Sequence, residues 1–153
     1  MVERIVLASD HAAVPLKTAL ADWLRERQFE VEDLGPFDDA SVDYPDYGYR
    51  LARAIAEGRA DRGVALCGSG IGISIAINRN PACRCALVSE PLSAALAREH
   101  NDANVLAIGA RLTGEEMAKA CVAAFLSTDF LGVRHQRRVD QLSHPALATE
   151  TTS

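Results

Sequence analysis

The chain has 153 residues, of which 48% are apolar, and this length and composition suit one compact domain. Its net charge of -5 at pH 7 excludes the strongly basic surface by which proteins bind nucleic acids or anionic membranes. No apolar stretch approaches the roughly 18 residues of a membrane span, and the first residues contain no basic leader. We therefore expect a cytoplasmic protein.

Short apolar runs predict the strands of a sheet, and each is followed by a segment with helical spacing. In chain order the runs cover residues 5–8, 31–34, 64–66, 86–88 and 105–108. Strands that alternate with helices form parallel sheets with both faces covered, so these strands are almost continuously apolar. The pattern predicts an α/β fold, a doubly wound sandwich of five parallel strands with helices on both faces.

Prolines and capping residues predict where the helices begin. The second helix is expected over residues 47–56. Ser89 with Pro91 predicts the start of the fourth helix. Thr113 with Glu116 forms a capping-box pattern, which predicts the start of the fifth.

The end of the chain predicts a short C-terminal helix and a tail. The stretch "RHQRRV" begins at Arg134, and a helix of this length needs something to pack against. A basic run of this kind is by default a solvated surface. Residues 143–153 contain few apolar anchors and predict a flexible tail. Without repeats or a linker, residues 1–142 are expected to form a single domain.

The four cysteines predict reduced thiols. None belongs to a CxxC pair, the spacing typical of zinc and redox sites. Cys83 and Cys85 are expected to be small core residues, and we expect no metal site.

Polar residues gather after the predicted strands, where ligands bind in open α/β sheets, and at the end of the predicted fourth helix, which carries His100 to Asp102. They are Asp10, His11, Asp43, Tyr44, Pro45, Cys67, Ser89, Glu90, His100, Asn101, Asp102 and Arg111. Each alone is explained equally well by a structural role, such as a histidine at a helix C-terminus. Their convergence on one edge of the sheet predicts a site.

The glycine turn "CGSGIG" follows the third strand at residues 67–72. Such a turn exposes N–H groups and the positive end of a helix dipole, which attract an anion. No Gly-Lys-Ser/Thr follows the glycines, and the turn does not open the first βαβ unit, so P-loop and dinucleotide sites are excluded. A cysteine phosphatase loop needs an arginine where this chain has Ile73.

A thiol at this turn is suited to act as a base, because helix N-termini favour the thiolate. The N–H groups beside Cys67 can also stabilise an oxyanion, which suits removal of a proton next to a carbonyl. A buried, inert thiol is the alternative.

Five stretches, "SDHAA", "DYPDY", "CGSGIGISIAINR", "SEPLSAALAREHNDANVLAIGAR" and "RHQRRV", together resemble ribose-5-phosphate isomerase type B, a family that includes allose- and galactose-6-phosphate isomerases. The resemblance runs in order over residues 5–139. It implies a Rossmann-like fold and a homodimer or tetramer that interconverts an aldose phosphate and a ketose phosphate without metal or organic cofactor.

The resemblance also implies roles for individual residues. Cys67 matches the base that moves a proton between C1 and C2 through a cis-enediolate, and Ser69 matches a proton shuttle between the two oxygens. His100 matches the residue that opens the sugar ring, aided by Asp10. Because Ile73 stands where another branch of the family has a glutamate base, the chain fits the cysteine branch.

The remaining implied roles concern binding. His11, Arg134 and Arg138 match phosphate ligands, whereas Tyr44, Asn101 and Arg111 match other substrate contacts. Main-chain amides hold the enediolate oxygen at Gly68, Gly70, Ile71 and Gly72. The group on the fourth helix and fifth strand is implied to come from the neighbouring subunit. Ribose 5-phosphate is the expected substrate; a six- or four-carbon sugar phosphate, or a non-catalytic binding subunit, is the alternative.

Overall fold

The computed structural model describes residues 3–145, which form one sheet between two layers of helices. The elements are β1 (Arg4–Ser9), α1 (Val14–Glu26), β2 (Glu30–Asp33), α2 (Tyr44–Ala56), β3 (Arg62–Cys67), α3 (Ile71–Ile77), β4 (Cys85–Leu87), α4 (Pro91–Asn101), β5 (Val105–Gly109), α5 (Glu115–Ser127) and α6 (Gln136–Ser143). The five strands are parallel in the order β2-β1-β3-β5-β4, which confirms the predicted fold class. Most of the predicted tail lies outside the described residues.

The chain order reverses between β1 and β3. From β1 the chain proceeds to β2 on one side of the sheet, whereas from β3 it proceeds through α3 to β4 on the other side. The two connections diverge and leave a crevice at the carboxyl ends of the strands, where ligands bind in folds of this type. Ser9 ends β1 and Cys67 ends β3, so both lie at the crevice.

Two apolar layers hold the sheet. Helices α1, α4 and α5 pack on one face, against larger strand residues such as Leu7 and Leu66. Helices α2 and α3 pack on the other face, where the strands contribute smaller residues such as Ala65. A Cβ at Gly48 of α2 would lie only 3.0 Å from Ala76 of α3, so glycine permits these two helices to approach closely. This packing brings the start of α2 to the turn after β3.

A fully buried lysine joins α1 to the end of β2. Lys17 Nζ lies 2.5 and 2.7 Å from the two carboxylate oxygens of Asp33, and Asp33 also accepts the Gly35 N–H at 2.8 Å. A buried charge is tolerated only when it is paired and hydrogen-bonded. The pair therefore fixes the start of the long connection from β2 to α2.

The second helix begins three residues before its predicted start. Asp43 has extended backbone angles, and α2 runs from Tyr44 with Pro45 in its first turn. Proline is accepted there because the first N–H groups of a helix have no partner within it. The earlier start places Tyr44 on the helix instead of the loop.

Two predicted helix caps are wrong. α4 is capped by Glu90, whose carboxylate accepts the N–H groups of Leu92 and Ser93, and not by Ser89. Gly114 occupies the N-cap of α5 without any side-chain hydrogen bond, and Thr113 is buried before it. Carboxylates cap as well as hydroxyls do. Thr113 belongs to the turn before α5, where its N–H donates to the Gly109 carbonyl at 2.9 Å, so the helix begins one residue later than predicted.

Between residues 3 and 145, no helix is both long and apolar enough to cross a membrane.

Candidate active site

The predicted base lies at the centre of the turn after β3. Cys67 is buried, and its Sγ accepts the Gly70 N–H at 3.1 Å. Ser69 Oγ accepts the Ile71 N–H at 3.2 Å. Gly70 has a positive φ of 78°, which favours glycine, and its N–H thereby points back towards the sulfur. The turn therefore orients the thiol through its own main chain.

A cavity of about 620 Å³ opens beside this thiol. It lies at the crevice between β1 and β3, and most of the predicted site residues line it. Those residues are Asp10, His11, Tyr44, Cys67, Gly68, Ser69, Ile71, Gly72 and Arg111. Gly70 lies behind the thiol, to which its N–H is bonded.

Asp10 and His11 enter the cavity from the end of β1. Asp10 Oδ1 accepts the Ala12 N–H at 3.0 Å, so the carboxylate is fixed within its own turn. His11 Nδ1 accepts the Val42 N–H at 3.1 Å. With Nδ1 used as an acceptor, the proton of the neutral ring lies on Nε2, from which it can be donated to a ligand. No local sequence pattern indicates the Val42 contact, because 31 residues separate the partners.

Tyr44 and Arg111 both line the cavity and lie against the turn after β3. A Cβ at Gly72 would lie 2.6 Å from the Tyr44 ring, so the ring lies directly on the turn. A Cβ at Gly68 would lie 3.4 Å from Arg111 Nη1, and the Arg111 N–H donates to the Gly68 carbonyl at 3.0 Å. Arg111 thus belongs to the cavity of its own chain, whereas the resemblance implied that it comes from the neighbouring subunit.

A second cluster of predicted site residues forms where α4 ends and α6 begins. The rings of His100 and His135 stack with centroids 4.6 Å apart. Arg134 lies beside them, with Nε and Nη2 at 3.4 and 3.3 Å from His135 Nε2. Arg138 follows on the first turn of α6.

The structure does not bring this second cluster into the cavity beside Cys67. Neither His100, Arg134 nor Arg138 is among the described residues that line that cavity. Asn101 instead lines a separate cavity of about 350 Å³, between β4 and α6. One chain therefore presents two groups of site residues in different places.

His135 is a member of the second cluster that the sequence interpretation missed. The basic run around it predicts a solvated surface, yet only 6% of His135 is exposed. The sequence contains one signal of this burial: the apolar Val139 follows His135 by four residues, which is the spacing of one helix face. Val139 is also buried in the structure.

The other three cysteines differ from Cys67 in their surroundings. Burial raises the pKa of Cys83 to about 11, and it also raises the pKa of Cys85 and of Cys121. These thiols stay protonated at neutral pH. Cys83 and Cys121 are core residues, as expected for Cys83, whereas Cys85 is only half-buried.

Comparison with known proteins identifies the family. The family model described as Ribose/Galactose Isomerase matches residues 5–142. The chain belongs to this family. Ribose-5-phosphate isomerase B of Escherichia coli is 43% identical over 92% of this chain and 95% of the relative.

Solved structures of the same family superpose closely. Ribose-5-phosphate isomerase B of Clostridium thermocellum has a TM-score of 0.92 at 42% identity, covering 95% of this chain and 98% of that one. The Mycoplasma genitalium enzyme, solved with bound ribulose 5-phosphate, has a TM-score of 0.88 at 38% identity, covering 95% and 97% of the two chains.

Cys67 and Ile73, the two positions at which the resemblance implied the cysteine branch of the family, lie in different surroundings. Ile73 is completely buried among the α2 and α3 side chains, so it presents no functional group to the cavity. The sulfur of Cys67 is the group that faces the cavity from the end of β3.

Proposed function

We propose that this chain interconverts ribose 5-phosphate and ribulose 5-phosphate. The observation that carries the proposal is the Cys67 thiol, held by the Gly70 N–H and opening into the cavity between β1 and β3. The E. coli relative is named a ribose-5-phosphate isomerase, and the M. genitalium structure contains ribulose 5-phosphate. The identities and coverage support the same activity here.

Cys67 acts in the proposed reaction as the base. Its thiolate removes the proton from C2 of the open-chain aldose, the electron pair moves to form a cis-enediolate, and the thiol, whose proton can exchange with solvent, then protonates C1. The Ser69 hydroxyl moves the second proton from O2 to O1, so that the aldehyde becomes an alcohol and the alcohol becomes a ketone. The Gly70 N–H stabilises the thiolate, because a hydrogen bond to an ionised acceptor is strong.

The main chain of the turn supplies the donors for the enediolate oxygen. The N–H groups of Gly68 and Ser69 have no hydrogen-bond acceptor within residues 3–145, whereas those of Gly70 and Ile71 are bonded to Cys67 and Ser69. Preorganised donors at the point where charge develops lower the barrier of such reactions. The oxygen is thus expected at Gly68 and Ser69, close to Gly72.

Substrate binding uses both groups of residues. His11 donates from Nε2 to the phosphate, and Arg134 and Arg138 hold it with guanidinium forks, which match phosphate geometry. Tyr44, Arg111 and Asn101 contact the sugar. His100 opens the ring with the help of Asp10. The phosphate dianion can bind although the net charge of the chain is -5, because Arg111, Arg134 and Arg138 supply positive charge at the binding site itself.

We propose that two copies of the chain share each active site. The cavity beside Cys67 contains neither His100 nor the phosphate arginines of its own chain, so the site is complete only when a partner contributes them. Apolar side chains at the cavity support this arrangement, since Ile71, Ile75 and Leu112 are 51%, 51% and 74% exposed. A partner that covers them removes apolar surface from water.

The experiment that tests the function is a comparison of kcat/KM across sugar phosphates. We expect turnover to be highest for ribose 5-phosphate, and lower for allose 6-phosphate, galactose 6-phosphate and erythrose 4-phosphate. A higher kcat/KM for one of the other sugars assigns the same chemistry to that sugar. Binding of ribose 5-phosphate without turnover contradicts the proposal and favours a non-catalytic binding subunit.

A further inference from the structure

His135 joins the ring-opening histidine to the phosphate arginines. Its ring is buried, although Arg134 and Arg138 nearby are exposed. The ring stacks on His100 with an interplanar angle of 27° and a centroid distance of 4.6 Å, which is within the range of favourable aromatic pairs. His100 is half-buried at the end of α4, so its ring is held on one side by this stack.

The hydrogen bonding of His135 defines its protonation state. Arg134 directs Nε and Nη2 towards His135 Nε2, and a guanidinium can only donate. Nε2 therefore carries a lone pair, and the proton of the ring is on Nδ1. Burial lowers the pKa of His135, and the nearby charges of Arg134, His100 and Arg138 lower it further. The ring that stacks on His100 is thus neutral at pH 7.

The main chain of His135 also begins α6. Its N–H donates to the Gly132 carbonyl at 2.7 Å, and its own carbonyl accepts the N–H groups of Arg138 and Val139 at 3.1 and 3.0 Å. One residue thereby fixes the start of the helix that carries Arg138 and the ring that contacts His100.

We propose that His135 is a positioning residue for His100, whose imidazole it holds by stacking in the orientation that opens the sugar ring. Its Nε2 holds Arg134 in place at the same time. The inference rests on the proposed function, in which His100 opens the ring and Arg134 binds phosphate.

A comparison of the two sugar phosphates as substrates distinguishes this positioning role from a general structural role. Ribose 5-phosphate is cyclic and must be opened, whereas ribulose 5-phosphate stays open because its C5 oxygen carries the phosphate. Exchange of the C1 proton of ribulose 5-phosphate with deuterium oxide therefore needs Cys67 but no ring opening. A defect in His100 positioning lowers turnover of the aldose and leaves this exchange intact.

The test uses His135→Asn, which removes the ring, and His135→Phe, which keeps a ring to stack. For His135→Asn we expect kcat on ribose 5-phosphate to fall roughly 10-fold, while C1 exchange stays within about 2-fold of wild type. For His135→Phe we expect kcat within about 3-fold of wild type, with a raised KM because Arg134 loses its acceptor. Arg137→Ala, at an exposed neighbouring position, is the matched control and should leave both reactions unchanged.

Three results would overturn the inference: an equal loss of turnover and exchange in His135→Asn, an unchanged kcat in that variant, or a kcat in His135→Phe as low as in His135→Asn. If His135→Asn does not fold, His135→Phe decides alone, since a kcat about 10-fold below wild type contradicts the stacking role. Failure of the proposed function is a separate result, in which the wild-type chain does not isomerise ribose 5-phosphate at all.

Discussion

Cys67 and the proposed phosphate ligands are assigned different tasks, and substitutions can distinguish these tasks. The thiol is proposed to act on the reacting carbons, and His11, Arg134 and Arg138 are proposed to hold the far end of the substrate. Binding energy from a remote group is used to orient the reacting atoms. Whether a substitution changes mainly kcat or mainly KM therefore shows whether the residue acts on the reacting carbons or on the phosphate.

Substitution of a phosphate ligand is expected to act mainly on KM. In Arg138→Ala, the loss of one charged hydrogen bond of about 1.5 to 3 kcal/mol raises KM for ribose 5-phosphate by roughly 10- to 100-fold, with a smaller change in kcat. Steady-state kinetics measure both constants. Arg137→Ala is the matched control, and an unchanged KM in Arg138→Ala would remove Arg138 from the phosphate site.

Acid is expected to destabilise the chain in part through His135. Its pKa is lowered in the folded state, so below the ordinary value of 6.5 the unfolded chain binds a proton that the folded chain resists. The free energy of unfolding therefore falls as the pH decreases through 6.5 and towards the lowered folded pKa. Groups that face this ring are His100, Arg134 and Arg138.

Urea denaturation at about pH 7 and about pH 5 measures this contribution. His135→Phe has no titrating group at the position, so its free energy of unfolding should fall less between the two pH values than that of the wild type. An equal fall in both proteins would show that the pKa of His135 is not lowered.

At the scale of elements, the turn after β3 is held against β5. A Cβ at Gly109 would lie 2.5 Å from the Ser69 carbonyl oxygen, which is too close for any side chain. Glycine at the end of β5 therefore lets the turn lie near enough to the sheet to orient Cys67 and the N–H groups of Gly68 and Ser69. The proposed catalytic geometry thus depends on a residue of a neighbouring strand.

Gly109→Ala is expected to displace the turn and to lower kcat for ribose 5-phosphate by roughly 100-fold, because small misplacements of reacting groups are costly. Gly114→Ala is the control, since nothing lies within 4 Å of a Cβ there, and its kcat should be close to wild type. If both variants retain wild-type kcat, the close approach of β5 is not needed for catalysis.

Local patterns predicted the elements better than their ends. Continuously apolar strands and alternating helices were sufficient for the parallel sheet, because burial on both faces leaves that signature in each strand. The predicted caps at Ser89 and Thr113 were wrong. The carboxylate of Glu90 caps α4, and α5 begins one residue later than predicted, with Gly114 at its N-cap. Contacts between distant segments, such as Val42 with His11, leave no local pattern at all.

Position after a strand also predicted much of the candidate site. Asp10, Cys67 and Arg111 meet in one cavity because the carboxyl ends of parallel strands meet at one edge. The same rule did not separate His100, which lies on the last turn of α4 and does not line this cavity. His135 was missed because the charged residues around it predict a solvated surface. In the structure, its ring instead stacks on His100 and contacts the guanidinium of Arg134.

For the whole molecule, the two groups of site residues predict subunit complementation. Cys67→Ala and His100→Asn are each expected to be inactive alone. When the two variants are unfolded and refolded together, mixed dimers regain one site with a wild-type Cys67 and a wild-type His100. Random pairing in a twofold dimer gives about a quarter of wild-type activity.

Complementation is measured as turnover of ribose 5-phosphate after refolding, and each variant refolded alone is the control. If the mixture is as inactive as its components, both residues act from the same chain, which contradicts the shared site.

The most direct test of the account is proton exchange catalysed by Cys67. Wild-type protein incubated with ribose 5-phosphate in deuterium oxide should form ribulose 5-phosphate labelled at C1, as followed by NMR. Cys67→Ala should form neither product nor label while still binding the sugar phosphate, whereas Cys121→Ala, which alters a buried thiol outside the site, should behave as wild type. Labelled ribulose 5-phosphate produced by Cys67→Ala would contradict the assignment of Cys67 as the base.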